Sequence, residues 1–154
     1  MNGVPLVLDT SLLVLLIVGS TRRALIERHK RLKAFTVEDF DLLRGLVTLA
    51  PQVVVTPNTL TEASNLIGQI DDPARTQIRE TFRRVVGAVD EQYVTSRAAS
   101  SVDHFLRLGL TDSGLIQLMS GSSRALLTTD LDLYLSVRQS GAEAVNFNHL
   151  RQFG

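Results

Sequence analysis

Residues 4–18 read VPLVLDTSLLVLLIV and decide the fold, because they place a strand directly before a helix. The segment from Val4 to Leu8 is short, apolar and β-prone, which predicts a strand. The polar residues 9–11 (DTS) are of the types that cap helix N-termini. The apolar run from Leu12 to Val18 then predicts a buried helix that ends near Gly19. A strand followed so closely by a helix is typical of α/β proteins.

The rest of the chain repeats this alternation. Further strands are predicted at Gln52–Val55, Arg124–Thr128 and Glu143–Phe147, and residues 92–95 are either a short strand or an extended link. Helices are predicted between them at Thr36–Ala50 (with Thr36 and Asp39 as a capping box), Thr56–Gly68, Pro73–Val89, Val102–Leu108, Thr111–Gly121 and Asp130–Gln139. Strands separated by helices imply right-handed crossovers, so we expect a parallel sheet of about four to five strands with helices on both faces. No linker or repeat divides the sequence, and residues 1–154 are expected to form one α/β domain.

The composition excludes several kinds of site. Hydrophobic residues make up 44% of the 154 residues and charged residues 21%, which argues against disorder. The absence of cysteine excludes disulfides, thiolate zinc sites and cysteine nucleophiles, and the three histidines share no metal-ligand spacing. The longest apolar run is too short for a membrane span, and no basic segment precedes it as in a signal peptide. We therefore expect a cytoplasmic protein without membrane association.

The charges of this neutral chain are unevenly distributed. The segment from Ser20 to Phe35, called the basic segment below, carries six cations and one acid, Glu27. The cations are Arg22, Arg23, Arg28, Lys30, Arg31 and Lys33. Clustered Arg and Lys attract nucleic-acid phosphates regardless of base sequence, whereas an exposed helix face can carry the same charges without any ligand. We favour the first interpretation, in which these six residues bind RNA.

Four acidic residues follow the predicted strands in a pattern that brings them together. Asp9 comes directly after the first strand, and Asp130 directly after the strand Arg124–Thr128. Asp112 begins the apolar stripe of its helix, and Glu62 lies one to two turns into the helix that follows the second strand. Because ligands of parallel sheets bind outside the carboxyl ends of the strands, these side chains are expected to share one crevice.

Carboxylates in one crevice repel each other and raise each other's pKa values. Mg²⁺ or Mn²⁺ relieves this repulsion, because these cations prefer oxygen ligands and keep several waters that can serve hydrolysis at phosphorus. An alternative stays open, since aspartate also caps helices and Asp9, Asp112 and Asp130 all lie at predicted helix starts. Glu62 could likewise form a capping box with Thr59.

Four segments resemble the pattern of PIN-domain nucleases and are spread over nearly the whole chain. They are VLDTS at Val7 to Ser11, TPNTLTEASNL at Thr56 to Leu66, GLTDSGLIQL at Gly109 to Leu118 and LLTTDLDLY at Leu126 to Tyr134. The resemblance implies that the catalytic and metal-binding acids are Asp9, Glu62, Asp112 and Asp130. It implies accessory roles for Ser11, Thr129 and Asp132, and Asn65 joins them because it lies three residues after Glu62 on the same helix.

This resemblance implies a single PIN-like domain that acts as a Mg²⁺- or Mn²⁺-dependent endoribonuclease. Its substrate would be RNA, and its cellular role that of a toxin with a cognate antitoxin or of a defence effector; a homodimer is a further expectation. A second hypothesis is a non-catalytic PIN-fold protein that binds RNA or serves as a scaffold. A third is a doubly wound small-ligand domain whose aspartates only cap helices, although the chain lacks a glycine-rich phosphate loop.

Overall fold

The computed structural model describes residues 3–151, whose five strands form one sheet. All neighbouring strands pair in parallel, in the order β3-β2-β1-β4-β5. This confirms the α/β prediction and the parallel sheet of four to five strands. The strands are β1 (Leu6–Leu8), β2 (Val53–Val55), β3 (Asp90–Glu91), β4 (Ala125–Thr128) and β5 (Glu143–Asn146).

Nine α-helices and one short 3-10 helix (Lys30–Leu32) connect these strands within the described range. Most begin at a residue whose side chain accepts a hydrogen bond from the first turn, as capping residues do. The helices are α1 (Thr10–Thr21), α2 (Leu25–Arg28), α3 (Val37–Leu49), α4 (Pro57–Ile67), α5 (Ala74–Ala88), α6 (Ser96–Ser100), α7 (Phe105–Met119), α8 (Leu131–Gln139) and α9 (Phe147–Arg151).

Successive side chains of each strand face opposite sides of the sheet, and each side has its own layer of helices. Leu6 and Leu8 of β1 pack into a core that includes residues of α1, α3, α4 and α5. Val7, between them, packs into a second core with Leu115 of α7 and Leu133 of α8. The expected helices on both faces are therefore confirmed. None of the helices among residues 3–151 combines the length and apolar character needed to cross a bilayer.

Two neighbours in the sheet define where a ligand can bind. From β1 the chain crosses in one direction to β2 and β3, and it then returns to place β4 and β5 on the other side of β1. The crossover helices leave β1 and β4 in opposite directions, and ligands of open parallel sheets bind beyond the carboxyl ends of two such strands. Residues 9 and 129–130 directly follow these strands and therefore lie at this edge of the sheet.

Helix α1 is longer than predicted and does not end near Gly19. Residues 12–19 are all buried, because the sheet, α3, α4 and α5 surround this helix. The ring of Phe40 packs so closely on Gly19 that an added Cβ would lie 2.2 Å from the ring. Glycine therefore serves here to admit a neighbouring ring and not to stop the helix.

Several other boundaries differ from the predictions. The third strand is Asp90–Glu91, and residues 92–95 form the extended link. The last strand ends at Asn146, since Phe147 begins α9, and the helix predicted at Val102–Leu108 begins only at Phe105. The short helix α6 was not predicted from the sequence at all. These elements are short and depend on packing against the rest of the chain, so local sequence patterns define them poorly.

A candidate carboxylate site at the sheet edge

Asp9 lies directly after β1 and is almost fully buried, with 6% of its surface exposed. Its Oδ1 accepts a hydrogen bond of 3.0 Å from the backbone nitrogen of Leu12, which makes Asp9 the N-cap of α1. Its Oδ2 accepts hydrogen bonds from the hydroxyl of Thr128 and, at 3.2 Å, from the backbone nitrogen of Thr129. Burial raises the pKa of Asp9; the hydrogen bonds oppose this effect, and the charge of Asp130 adds to it.

Asp130 follows β4 and caps α8, because its Oδ1 accepts a hydrogen bond of 3.1 Å from the backbone nitrogen of Leu133. Its own backbone nitrogen donates to the Thr128 hydroxyl oxygen at 2.9 Å. That hydroxyl also donates to Asp9, so Thr128 joins the two acids across the gap between β1 and β4. The capping role predicted for Asp9 and Asp130 is confirmed, and it places both carboxyl groups at the same edge.

Asp112 differs from these two acids because no side chain or backbone group within residues 3–151 donates a hydrogen bond to it. Helix α7 is interrupted at Gly109, whose φ of 82° and ψ of −174° are not helical, and Asp112 lies one turn further on. Burial, together with the charges of Asp130, Asp9 and Glu62, raises the pKa of the Asp112 carboxyl to about 6. The prediction that Asp112 caps a helix is therefore wrong: it is a partly buried carboxylate that faces three others.

Glu62 reaches the same edge from α4, on the far side of β1 from Asp130. The hydroxyl of Thr111 donates a hydrogen bond to its carboxylate. Thr111 precedes Asp112 in α7, so this contact links α4 to α7 beside the Asp112 carboxyl. The alternative in which Glu62 forms a capping box with Thr59 is not realised: the predicted helix start at Thr56 is confirmed, and its hydroxyl accepts a hydrogen bond from the Thr59 nitrogen at 3.1 Å.

The four acids thus lie close enough for their charges to act on one another, as the crevice hypothesis requires. Among residues 3–151, however, no three Asp, Glu, His or Cys side chains are grouped tightly enough to form a ready-made metal cage. Mg²⁺ commonly binds through one or two carboxylates and fills its other positions with water, so a tight cage is not needed. The unpaired Asp112 carboxylate is an oxygen donor of the kind that such a cation takes, and the residues present therefore fit a hard divalent cation.

A buried oxygen without a partner lies close to these acids. The side-chain nitrogen of Asn148 donates to the carbonyl of Thr129 at 3.2 Å, which holds the amide next to the Thr129–Asp130 turn. The amide oxygen of Asn148 is buried and finds no hydrogen-bonding partner in the described part of the chain. Buried polar atoms nearly always have a hydrogen-bonding partner. The unpaired amide oxygen of Asn148 is therefore an acceptor for a ligand or a water at this edge.

The predicted accessory residues have different surroundings. Thr129 contacts Asp9, but through its backbone nitrogen and not through its hydroxyl. Asp132 is exposed and lies 3.7 Å from the guanidinium of Arg107. Ser11 and Asn65 are exposed, and neither side chain makes a hydrogen bond to the four acids within residues 3–151. Of the four accessory predictions, the structure brings only Thr129 into contact with a principal acid.

The basic segment lies away from the carboxylates. It begins where α1 ends, about 18 Å along the helix axis from Asp9. Three of its cations already have polar partners in the protein. Arg23 forms an ion pair with Asp41 at 2.7 Å, Arg22 contacts Gln77 at 3.4 Å and Arg31 contacts Gln69 at 2.7 Å.

Sequence reasoning missed three residues that hold this site together: Thr128, Thr111 and Asn148. The parallel register Leu8↔Leu127 places Thr128 beside Asp9, so a correct strand pairing would have indicated the first of them. Thr111 and Asn148 carry no comparable signal, because they reach Glu62 and Thr129 from elements that are distant in the sequence.

Comparisons with known proteins add little to this description. No protein-family model matches the chain, and no curated protein matches it significantly. Among solved structures, the chain is similar to a domain of a functionally unknown protein from Methanocaldococcus jannaschii DSM 2661, with 17% sequence identity and a TM-score of 0.47. The match covers 94% of this chain and 91% of the other. A likeness of this strength carries no argument about function.

Proposed function

We propose that the protein is a Mg²⁺- or Mn²⁺-dependent endoribonuclease of the PIN type, which hydrolyses RNA at the edge formed by Asp9, Glu62, Asp112 and Asp130. The observation that carries the proposal is the convergence of these four acids on Asp112, whose carboxylate has no hydrogen-bonding partner within residues 3–151. A structural role would normally leave such a partly buried carboxylate paired. An unpaired one among three like charges is the arrangement that a bound cation stabilises.

The four acids differ in how many of their hydrogen-bond acceptor positions are already occupied by donors of the protein. A carboxylate offers about four acceptor positions, and protein donors occupy three of them on Asp9 and one on Asp130. Asp112 has all of its positions free, so Asp112 and Asp130 would be the principal cation ligands. Asp9 would contribute mainly its negative charge and one remaining acceptor position.

Glu62 takes a separate role because it lies on α4 and is held by the Thr111 hydroxyl. From there its carboxylate would either join the cation ligands or accept a proton from the water that attacks phosphorus. When bound, the divalent cation lowers the pKa of a coordinated water and offsets the charge on the leaving oxygen. Asp9 and Thr128, buried behind Asp130, keep the two strand ends at a fixed separation.

Cleavage assays test this proposal directly. Purified protein is incubated with a mixture of single-stranded and structured RNAs, with Mn²⁺ or with EDTA, alongside Asp112→Asn. Asp103→Asn is the control, because it makes the same chemical change at an exposed aspartate of the loop before α7. We expect cleavage that requires the metal, disappears in Asp112→Asn and persists in Asp103→Asn. Equal activity of both variants would exclude Asp112 from the reaction.

A non-catalytic RNA-binding or scaffold protein of the same fold is the second candidate. It is favoured by the capping roles of Asp9 and Asp130, which give both acids a structural purpose, and by the absence of a tight acidic cage among the described residues. RNA binding without cleavage, together with a melting temperature that Mn²⁺ leaves unchanged, would support this candidate. An antitoxin partner, a homodimer and a cytoplasmic location stay predictions, which co-purification, sizing and fractionation can test.

A further inference from the structure

A cavity of about 470 Å³ lies between the basic segment and the turn that joins α4 to α5. Arg28 and Lys30 line it from the basic segment, and Arg75 of α5 lines it from the other side. Asp71 is the acid among its lining residues. Three cations against one anion leave this cavity with a net charge of +2, on a chain whose total charge is zero.

The wall of the cavity is held in place by hydrogen bonds. The Nε of Arg75 donates to the carbonyl oxygens of Gly68 at 3.2 Å and Ile70 at 2.9 Å, just beyond the C-terminus of α4. These bonds fix the guanidinium, and one of its terminal nitrogens also forms an ion pair with Asp72 at 3.8 Å. Arg31 donates to Gln69 at 2.7 Å and so ties the basic segment to the same turn.

Arg28 and Lys30 differ from Arg22, Arg23 and Arg31 of the same basic segment, whereas Lys33 resembles Arg28 and Lys30 but does not line the cavity. The side chains of Arg28 and Lys30 are exposed, and neither forms a hydrogen bond or an ion pair within residues 3–151. Arg22, Arg23 and Arg31 by contrast contact polar side chains of the protein itself. Two unpaired cations opposite a fixed guanidinium are suited to the oxygens of a phosphate group.

We infer that this cavity binds a backbone phosphate of the RNA whose cleavage is proposed above, so that Arg28, Lys30 and Arg75 form a second substrate contact outside the carboxylate edge. The inference rests on the proposed function for the identity of the ligand. Gly68 directly follows α4 and lies six residues after Glu62, about 9 Å along the helix axis. With phosphates at least about 3.4 Å apart along a strand, an RNA would need to extend at most about three nucleotides beyond the carboxylates to reach the cavity.

Binding of single-stranded RNA in EDTA tests this site without any contribution from cleavage. Fluorescence anisotropy compares labelled RNAs of about 3 and about 12 nucleotides over a range of salt concentrations. The test variant is Arg28→Gln with Lys30→Gln, since both side chains lack protein partners and their loss should leave the fold intact. Arg83→Gln with Arg97→Gln removes the same charge from exposed positions outside the cavity and is the control.

We expect the test variant to bind the longer RNA on the order of 10-fold more weakly and to reduce the salt slope by about 1.4, because each lost contact to a single strand accounts for about 0.7. The control variant should show little change with either RNA. The inference would be overturned if the control variant lost as much RNA affinity as the test variant, or if the salt slope of the test variant were unchanged. The variant Lys33→Gln adds a check, since a loss equal to that of Lys30→Gln would assign binding to the whole segment and not to the cavity.

The outcomes separate this inference from the proposed function. If the wild-type protein fails to cleave RNA with Mn²⁺ while the test variant still loses RNA binding, the phosphate site stands and the nuclease proposal fails. If cleavage requires metal and Asp112 while the test variant binds RNA with the wild-type salt slope, the nuclease proposal stands and the phosphate site fails.

Discussion

The hydroxyl of Thr128 donates a hydrogen bond to the buried carboxylate of Asp9, although the two residues lie 119 positions apart in the chain. The same hydroxyl accepts a bond from the backbone nitrogen of Asp130 at 2.9 Å. One threonine therefore satisfies a buried acid after β1 and orients the start of α8 after β4. The candidate site depends on this contact, because it sets the distance between two of the four acids.

Replacing Thr128 by valine should destabilise the protein by about 1–3 kcal/mol near neutral pH, since it removes one of the three donors to the buried Asp9 carboxylate and the acceptor of the Asp130 backbone nitrogen. The loss should shrink in acid, because burial already raises the pKa of Asp9 and a protonated carboxyl needs the donor less. Urea unfolding at two pH values measures both effects. Thr128→Ser keeps the hydroxyl and is the control; an equal loss in serine and valine variants would indicate packing as the cause.

The pKa of Asp112 predicts how the metal-free protein responds to pH. The folded state holds the Asp112 proton with a pKa of about 6 against an ordinary value of 3.8. The folded state therefore binds this proton more tightly than the unfolded chain, and stability present below about pH 3.8 is lost as the pH rises through about 6. Asp112→Asn removes this loss and should stabilise the protein in alkaline solution.

We expect Asp112→Asn to raise the unfolding free energy at about pH 8 in EDTA by about 1–2 kcal/mol, a value reduced from that of a fully buried group because solvent screens the carboxylate. At about pH 4.5 the gain should fall to less than half. Chemical denaturation at both pH values measures it, with Asp103→Asn as the reference. A variant less stable than wild type at both pH values would mean that the Asp112 carboxylate has a structural role.

A divalent cation should raise the melting temperature of the wild-type protein. At a concentration about 100 times the dissociation constant, binding to the folded state alone contributes about 2.7 kcal/mol. For a chain of this size that free energy corresponds to a shift of about 5–10 °C. Thermal unfolding with and without Mn²⁺ should show the shift in wild type and Asp103→Asn but not in Asp112→Asn. An equal shift in all three proteins would place the cation elsewhere.

The parts of this site that the sequence predicts are those governed by local rules. Asp9 and Asp130 each follow an apolar strand and precede a helix, and a cap at such a position is recognisable from adjacent residues alone. The capping box of Thr36 and Asp39 is likewise recognisable from adjacent residues, and the structure confirms it. The parallel order of the strands also follows, because helices separate them.

The parts that the sequence does not predict depend on contacts between distant segments. The break at Gly109 agrees with the two separate helices that the sequence predicts on either side of it, but the absence of a hydrogen-bond donor to Asp112 depends on how α4 and α7 meet. The cavity beside Arg28 exists because Arg31 and Arg75 attach to the turn after α4. Charge counting along the chain identified the basic segment but could not separate its free cations from its paired ones.

The break in α7 should depend on glycine itself. Gly109 has a φ of 82° and a ψ of −174°, a region that residues with a Cβ rarely adopt. No atom lies within 4 Å of a Cβ added there, so strain of the backbone and not a clash opposes substitution. Gly109→Ala should therefore destabilise the protein by about 1–3 kcal/mol.

The substitution Gly45→Ala is a matched comparison, for which we expect the opposite change in stability. Gly45 lies inside α3, it has no atom within 4 Å of an added Cβ, and its φ is not positive. Because glycine costs a helix interior roughly 0.5–1 kcal/mol relative to alanine, Gly45→Ala should stabilise the protein by about that amount. Urea unfolding of the two variants measures both changes. If Gly109→Ala were also stabilising, α7 would be able to continue through this position, and the turn that directs Asp112 towards the other acids would not require glycine.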